Sequence, residues 1–145
     1  MFIKNKFVTG FILYFIFFSF SLAQENYYDE AKKKFDEKEL ENSKFLFQKN
    51  IVFNPKDAKS YLYLAKIYNL EENEKEEEKN LDTTLLLDPS NEEAMYMLIN
   101  IKLKKSNYSK VQDLKEKFVI ICVKLCEKTK EINNTLKNIE PKNDT

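Results

Sequence analysis

Two apolar runs that end in proline, 34 residues apart, constrain this chain more than any other feature. Phe47 to Pro55 and Leu81 to Pro89 each read as a helix-compatible segment stopped by Asn-Pro or Asp-Pro. After each comes a polar link, then a new helical pattern that starts near Ala58 or Glu92. A fixed period of this size marks supersecondary units that cannot bury their apolar face alone and therefore stack on their neighbours. The expected fold class is all-α, a short α-solenoid. Such a fold offers a surface for binding rather than a catalytic pocket.

Glycine usage supports the helical reading. The one glycine, Gly10, lies within the N-terminal apolar segment. The rest of the chain lacks the residue best suited to tight left-handed turns, which argues against extensive hairpin structure. Apolar residues recur at three and four. This spacing predicts helices over Tyr27 to Phe35, Leu40 to Phe53, Ala58 to Leu70, Glu74 to Leu87 and Glu92 to Lys104. A last helix is expected from Tyr108, with Asn107 as N-cap. Its apolar positions are Val111, Leu114, Phe118, Ile121, Leu125, Ile132, Leu136 and Ile139, a heptad-like seam running on to Pro141 with a break placed near Asn133-Asn134.

The first 23 residues stand apart from the fold. Lys4 and Lys6 precede an apolar run from Phe7 to Phe20, and Ser21-Leu22-Ala23 places small residues where a signal peptidase reads. The pattern predicts a secretory signal peptide cleaved after Ala23, and an exported, periplasmic or secreted protein. The alternative is an uncleaved anchor in the inner membrane through residues 7–20, with cytoplasmic lysines. Membrane contact is expected through this segment alone. Residues 141–145 are expected to form a disordered tail.

The 24 Lys and Arg of the chain are all Lys, against 24 Asp and Glu. Two of those lysines lie in the first 23 residues, leaving 22 against 24, or −2, for the remainder. That balance gives no electrostatic case for nucleic acid, and without Arg there are no bidentate phosphate forks. There is no His, no Gly-rich phosphate loop and no nucleophile motif, so no enzyme, nucleotide or metal is expected. The acidic run Glu71 to Glu78 lacks the spacing of a calcium loop and reads as a solvated helix start.

These residues resemble the tetratricopeptide repeat (TPR) family. In the unit Ala58 to Asn91 the resemblance rests on Tyr61, Leu64, Ala65, Tyr68, Leu81, Leu87 and Pro89. The preceding unit matches through Tyr27, Ala31, Leu40, Ser43, Phe47, Phe53 and Pro55, and the following one through Met95, Leu98, Tyr108, Val111 and Ile121. The resemblance implies a right-handed solenoid of about three helix pairs with a long C-terminal helix: unit one over 24–57, unit two over 58–91, unit three over 92–140. Four features depart from the pattern. Glu77 stands where the family places a small residue between the two helices. Lys34 and Lys102 stand at an aromatic position, and no proline closes the third unit.

The resemblance also implies a concave groove lined by the first helix, helix A, of each unit. It would present Tyr28, Lys32 and Phe35, then Leu62, Tyr63, Lys66 and Asn69, then Tyr96, Met97, Asn100 and Leu103. This mixture of aromatics, Met and lysines suits a protein or peptide partner, laid in as a strand or helix. The other reading packs several of these side chains against the last helix. Lys32, Lys66 and Asn100 share one repeat position, either as a ladder for peptide carboxylates or as solvated polar groups. Some family members clamp a C-terminal carboxylate. Here Tyr28, Tyr63, Glu93 and Met97 occupy positions that would build the clamp, which argues against that role.

Cys122 and Cys126 lie four apart on the expected last helix. Free buried thiols are the first reading, because side chains so placed in a regular helix are poorly aimed for a disulfide. A disulfide or redox pair, favoured by export, is the second. The seam Val111, Leu114, Phe118, Ile121 and Leu125 supports an alternative function, a module that forms homo-oligomers through its C-terminal helix.

Overall fold

A computed structural model of the chain describes residues 27–139. The expected signal or anchor segment within residues 1–23 and the expected tail over 141–145 lie outside the described residues. Among the described residues there are seven helices and no strands. They are α1 (Tyr27–Asp36), α2 (Leu40–Phe53), α3 (Ala58–Leu70), α4 (Glu74–Leu87), α5 (Glu92–Lys104), α6 (Tyr108–Ile121) and α7 (Lys128–Ile139). Helices pair as α1 with α2, α3 with α4, and α5 with α6. Successive pairs stack through α2 on α3 and α4 on α5. No helix among the described residues is long and apolar enough to cross a membrane.

The helix starts are set by short polar side chains. Asp57, Asn73, Asn91 and Asn107 each accept a hydrogen bond from the backbone N–H of the first turn that follows. Each satisfies a donor that the helix leaves unpaired. The turn from the first to the second helix of each pair is the same three times over. Lys38, Glu72 and Ser106 have φ of 64°, 56° and 54°. The next residue returns its N–H to the carbonyl five positions back, at 2.9 Å in Glu39, Asn73 and Asn107. This is the Schellman closure, made here without glycine.

The core has two parts. Ala31, Phe47, Leu64 and Ile67 form the N-terminal one, with Tyr28, Phe35 and Tyr63 packed on its rim. The larger one joins Leu62, Ala65, Leu81, Ala94, Met95, Leu98, Ile99, Ile101, Val111, Leu114, Phe118 and Ile132. The repeat is visible in the burial. Ala31, Ala65 and Ile99, spaced by 34, are fully buried, as are Leu64, Leu98 and Ile132 to within a few per cent. Between units one and two the packing includes a polar knot: Asn50 donates to Asp57 and Ser60, and the Ser60 hydroxyl donates to Asp57 at 2.7 Å. A third register is exposed. Val52, Leu86 and Ile120 leave 76%, 81% and 82% of their surface in solvent.

The expected long last helix is two helices. α6 ends at Ile121, and Cys122 is extended (φ −64°, ψ 138°). The chain then turns and resumes as α7, so that α6 stops 12 residues before Asn133, where the sequence predicts the break. The stop obeys the 34-residue period, since α2, α4 and α6 end at Phe53, Leu87 and Ile121. Val123 stands where Pro55 and Pro89 stand in the earlier units. The turn is closed by two other devices. Cys122 and Cys126 form a disulfide with Cα atoms 5.1 Å apart, correcting the free-thiol reading. The bond is accessible because the two residues are not on one regular helix. The Glu92 carboxylate at the start of α5 accepts the backbone N–H groups of Val123 (2.7 Å), Lys124 (2.9 Å) and Leu125 (3.1 Å).

α7 therefore occupies the place of a fourth helix A. Unit three ends at Ile121, and the remainder is half a repeat that covers the stack. The seam proposed for self-association lies inside the monomer. Val111, Leu114 and Phe118 are buried, and Ile121 and Leu125 pack against the same core.

Candidate functional site: the face of the A helices

In units one and two the structure gathers an aromatic group around Tyr63. Its ring stacks on Phe47 at 5.0 Å between centroids and meets Phe35 (5.2 Å) and Tyr28 (6.0 Å) edge to face. Such pairs favour offset or edge contacts because ring faces are negative and ring edges positive. Phe47 is the fully buried base of the group, while Tyr28, Phe35 and Tyr63 are half-buried. Burial pushes the Tyr28 phenol up to about 12, reinforced by Tyr63 and by the charge of Asp57. Tyr28 therefore stays a neutral phenol at physiological pH.

The lysines of the groove are held by the chain's own acids. Lys32 donates to Asp36 at 2.7 Å, and this bond raises its pKa above the ordinary lysine value. Lys66 lies 4.7 Å above the Tyr63 ring and 2.8 Å from a Glu93 oxygen. Asn100, the third member of the register, instead lines a cavity with Asn69 and Glu77. The three positions thus carry two internal ion pairs and one amide, not a uniform row of free cations.

Leu62 is the site residue that the structure moves away from the groove. It is 7% exposed and belongs to the larger core, where helix A of unit two meets unit three. Its neighbour Tyr63 points to the other side. Tyr96 keeps its place but is shared with α7: its hydroxyl donates to Glu131 at 3.0 Å, and Lys128 sits 5.4 Å from its ring centre. The contact repeats, two units on, the approach of Tyr28 to Tyr63.

Asn69, Met97, Asn100 and Leu103 are brought together around a cavity of about 440 Å³. Its remaining wall holds Glu77, Ile101, Lys104, Glu131 and Thr135. Glu131 and Thr135 were hidden from sequence reading because a single last helix would carry them away from α5. Glu77 is visible in the sequence only as a misfit. It is 4% exposed and accepts a hydrogen bond from the Asn69 amide at 3.0 Å. Burial raises its carboxyl above the usual range, against the opposing pull of Asn69 and Lys104.

The other departures from the repeat pattern are resolved by ion pairs. Lys34 bridges Glu37 (3.1 Å) and Glu39 (3.0 Å), and Lys102 pairs with Glu78, joining α5 to α4. Among the described residues no group of three or more His, Cys, Asp or Glu could hold a metal ion.

No protein-family model matches the sequence, and no curated protein matches it. Solved structures do. The TPR2B domain of yeast Sti1, in a complex with pHsp70, superposes with a TM-score of 0.65 at 16% identity, over 78% of this chain and 92% of that one. The Yersinia enterocolitica type III secretion chaperone SycD, with a peptide of the translocator YopD, gives 0.67 at 13% identity over 79% and 89%. The Sgt2 TPR domain of Aspergillus fumigatus gives 0.66 at 14% identity over 83% and 81%. At these identities the likeness speaks for the fold: this chain has the tetratricopeptide-repeat fold.

Proposed function

We propose that this protein is an exported interaction scaffold of the cell envelope or periplasm, binding a peptide or helix of a protein partner along its A helices. The observation that carries the reading is the half-buried aromatic group Tyr28, Phe35 and Tyr63, bordered by Lys32 and Lys66. Aromatic rings give large contact area at little entropic cost, and their lysine borders keep the surface soluble. Two of the structural neighbours named above, the SycD and Sti1 domains, carry a peptide or a partner, which supports the same use here. The apolar segment before Ala23 supports export.

Photo-crosslinking in cells tests the proposal. A benzophenone side chain at Lys32 or Lys66 should capture one discrete protein, and the same group at Phe45 on helix α2 should not. Equal capture from all three positions would remove the A-helix face from consideration. Fractionation with N-terminal sequencing tests export separately, since a cytosolic protein retaining Met1 would contradict it. The self-association reading has no comparable support, because its seam is buried within the chain.

A further inference from the structure

We propose that the cavity beside Glu77 receives a basic side chain, Lys or Arg, of the bound partner. The inference rests on the reading of the A-helix face as the partner surface and adds the chemistry of one subsite. The equivalent position in the other units shows why Glu77 is unusual. Ser43, in unit one, is closed within its own unit by donating to the Ala31 carbonyl at 2.9 Å. Val111, in unit three, is apolar and fully buried. Glu77 is too long to end at the helix crossing. It reaches Asn69 at the end of α3 and the cavity that α5 and α7 complete.

One of its oxygens remains free. Asn69 binds Oε1, and Glu77 makes no other side-chain hydrogen bond among the described residues. No fully buried side-chain oxygen or nitrogen there lacks a partner. Oε2 makes no hydrogen bond and is not fully enclosed, and Glu77 is one of the residues that line the cavity. A carboxylate with so little water around it is costly to keep charged unless an opposite charge meets it. Two lysines of the groove are engaged elsewhere, Lys32 on Asp36 and Lys66 on Glu93, and the one lysine that lines the cavity is Lys104. Lys104 on α5 lowers the Glu77 pKa without overcoming burial, and Glu74, on Glu77's own helix α4, opposes it. Glu131, across the cavity on α7, is held by Tyr96 and Lys128.

A ligand ammonium or guanidinium fits this setting. Its charge would meet Oε2, and its methylene stem would lie on Met97 and Leu103. The amide oxygens of Asn69 and Asn100 could take further N–H groups of a guanidinium. The subsite thus selects a basic residue, the opposite of a carboxylate clamp.

Titration of the full chain with small probes tests this by NMR, following the side-chain amides of Asn69 and Asn100. The probes are N-acetyl-arginine methylamide, N-acetyl-lysine methylamide and N-acetyl-norleucine methylamide. The basic probes should shift both amides saturably, and norleucine should not; the arginine and lysine arms say which head group is preferred. Glu77→Gln keeps the hydrogen bond to Asn69 and removes the charge, and should weaken the basic probes by about tenfold or more. Equal shifts by norleucine, or unchanged affinity in Glu77→Gln, would overturn the inference, as would no saturable shift with any probe. Crosslinking separates this from the broader reading. If Glu77→Gln captures the partner from Lys66 as well as the native chain does, the subsite is wrong and the scaffold stands. If the native chain captures nothing, the scaffold reading itself falls.

Discussion

Lys38 and Glu72, 34 positions apart, share one left-handed backbone conformation, with φ of 64° and 56°. Ser106 completes the set at 54°. A side chain in this region brings Cβ against the following carbonyl, at a cost of about 1–2 kcal/mol per residue, and glycine escapes it. Part of that relief is lost to the greater freedom of glycine in the unfolded chain. Lys38→Gly, Glu72→Gly and Ser106→Gly should each stabilise the fold by about 1 kcal/mol, read as a higher urea midpoint at unchanged slope. A lower midpoint in all three would show that these turns are not strained.

Acid should loosen α7 before the rest of the stack. The carboxyls of Glu92 and Glu131 are held below the ordinary Glu range, the first by the N–H groups of Val123 and Leu125, the second by Lys128 and Tyr96. A depressed folded pKa contributes stability that is present above the unfolded value and is lost as pH falls through the folded one. The loss is therefore expected below the usual Glu value of about 4.3. Hydrogen exchange of the Val123, Lys124 and Leu125 amides should quicken there ahead of exchange in α3. Glu92→Gln should show the same quickening at neutral pH.

Glu77 has the opposite sign. Its folded pKa is raised by burial, so the folded state holds the proton more tightly than the unfolded chain does. Stability then declines as pH rises from the ordinary Glu value through the folded one. Glu77→Gln should be more stable than the native chain at pH 7. The difference should vanish below about pH 4, where both states of the native chain are protonated. Parallel stability curves across that range would contradict the assignment.

The registers at 34 residues should differ sharply in their sensitivity. Phe118 is fully buried in the larger core, and Phe118→Ala should cost about 3–5 kcal/mol. Leu86 is 81% exposed, and Leu86→Gln should change stability by no more than about 0.5 kcal/mol. Chemical denaturation of the two variants checks both figures.

Most of the fold was legible because its punctuation is local. Pro55 and Pro89 stop α2 and α4, and Asn73, Asn91 and Asn107 start the helices that follow them. The end of α6 was missed for a physical reason. Val123 replaces the proline, and the apolar spacing of α6 runs into that of α7 with a single gap at Thr129, so periodicity alone cannot see the turn. The period held the answer in Phe53, Leu87 and Ile121. The site divides in the same way. Tyr28, Phe35, Tyr63, Asn69, Met97 and Asn100 follow from repeat position, because backbone geometry fixes where each points. Leu62 does not: it shares its repeat position with Tyr28 and Tyr96, yet packs into the larger core where unit two meets unit three. Glu77 was legible as a charge in a small residue's place, but its destination depends on Asn69 and on α7, which no local rule connects.

The disulfide changes what kind of ending this solenoid has. A proline stops a helix under every condition. Cys122 and Cys126 do so only where thiols oxidise, and the last turn is otherwise left to the Glu92 carboxylate. Reduction would therefore remove one tether of this turn, while Ile132 in the core and Glu131 on Tyr96 still hold α7 to the stack. The wall that Glu131 and Thr135 contribute is thus anchored twice, by Ile132 in the core and by the closed turn that precedes α7.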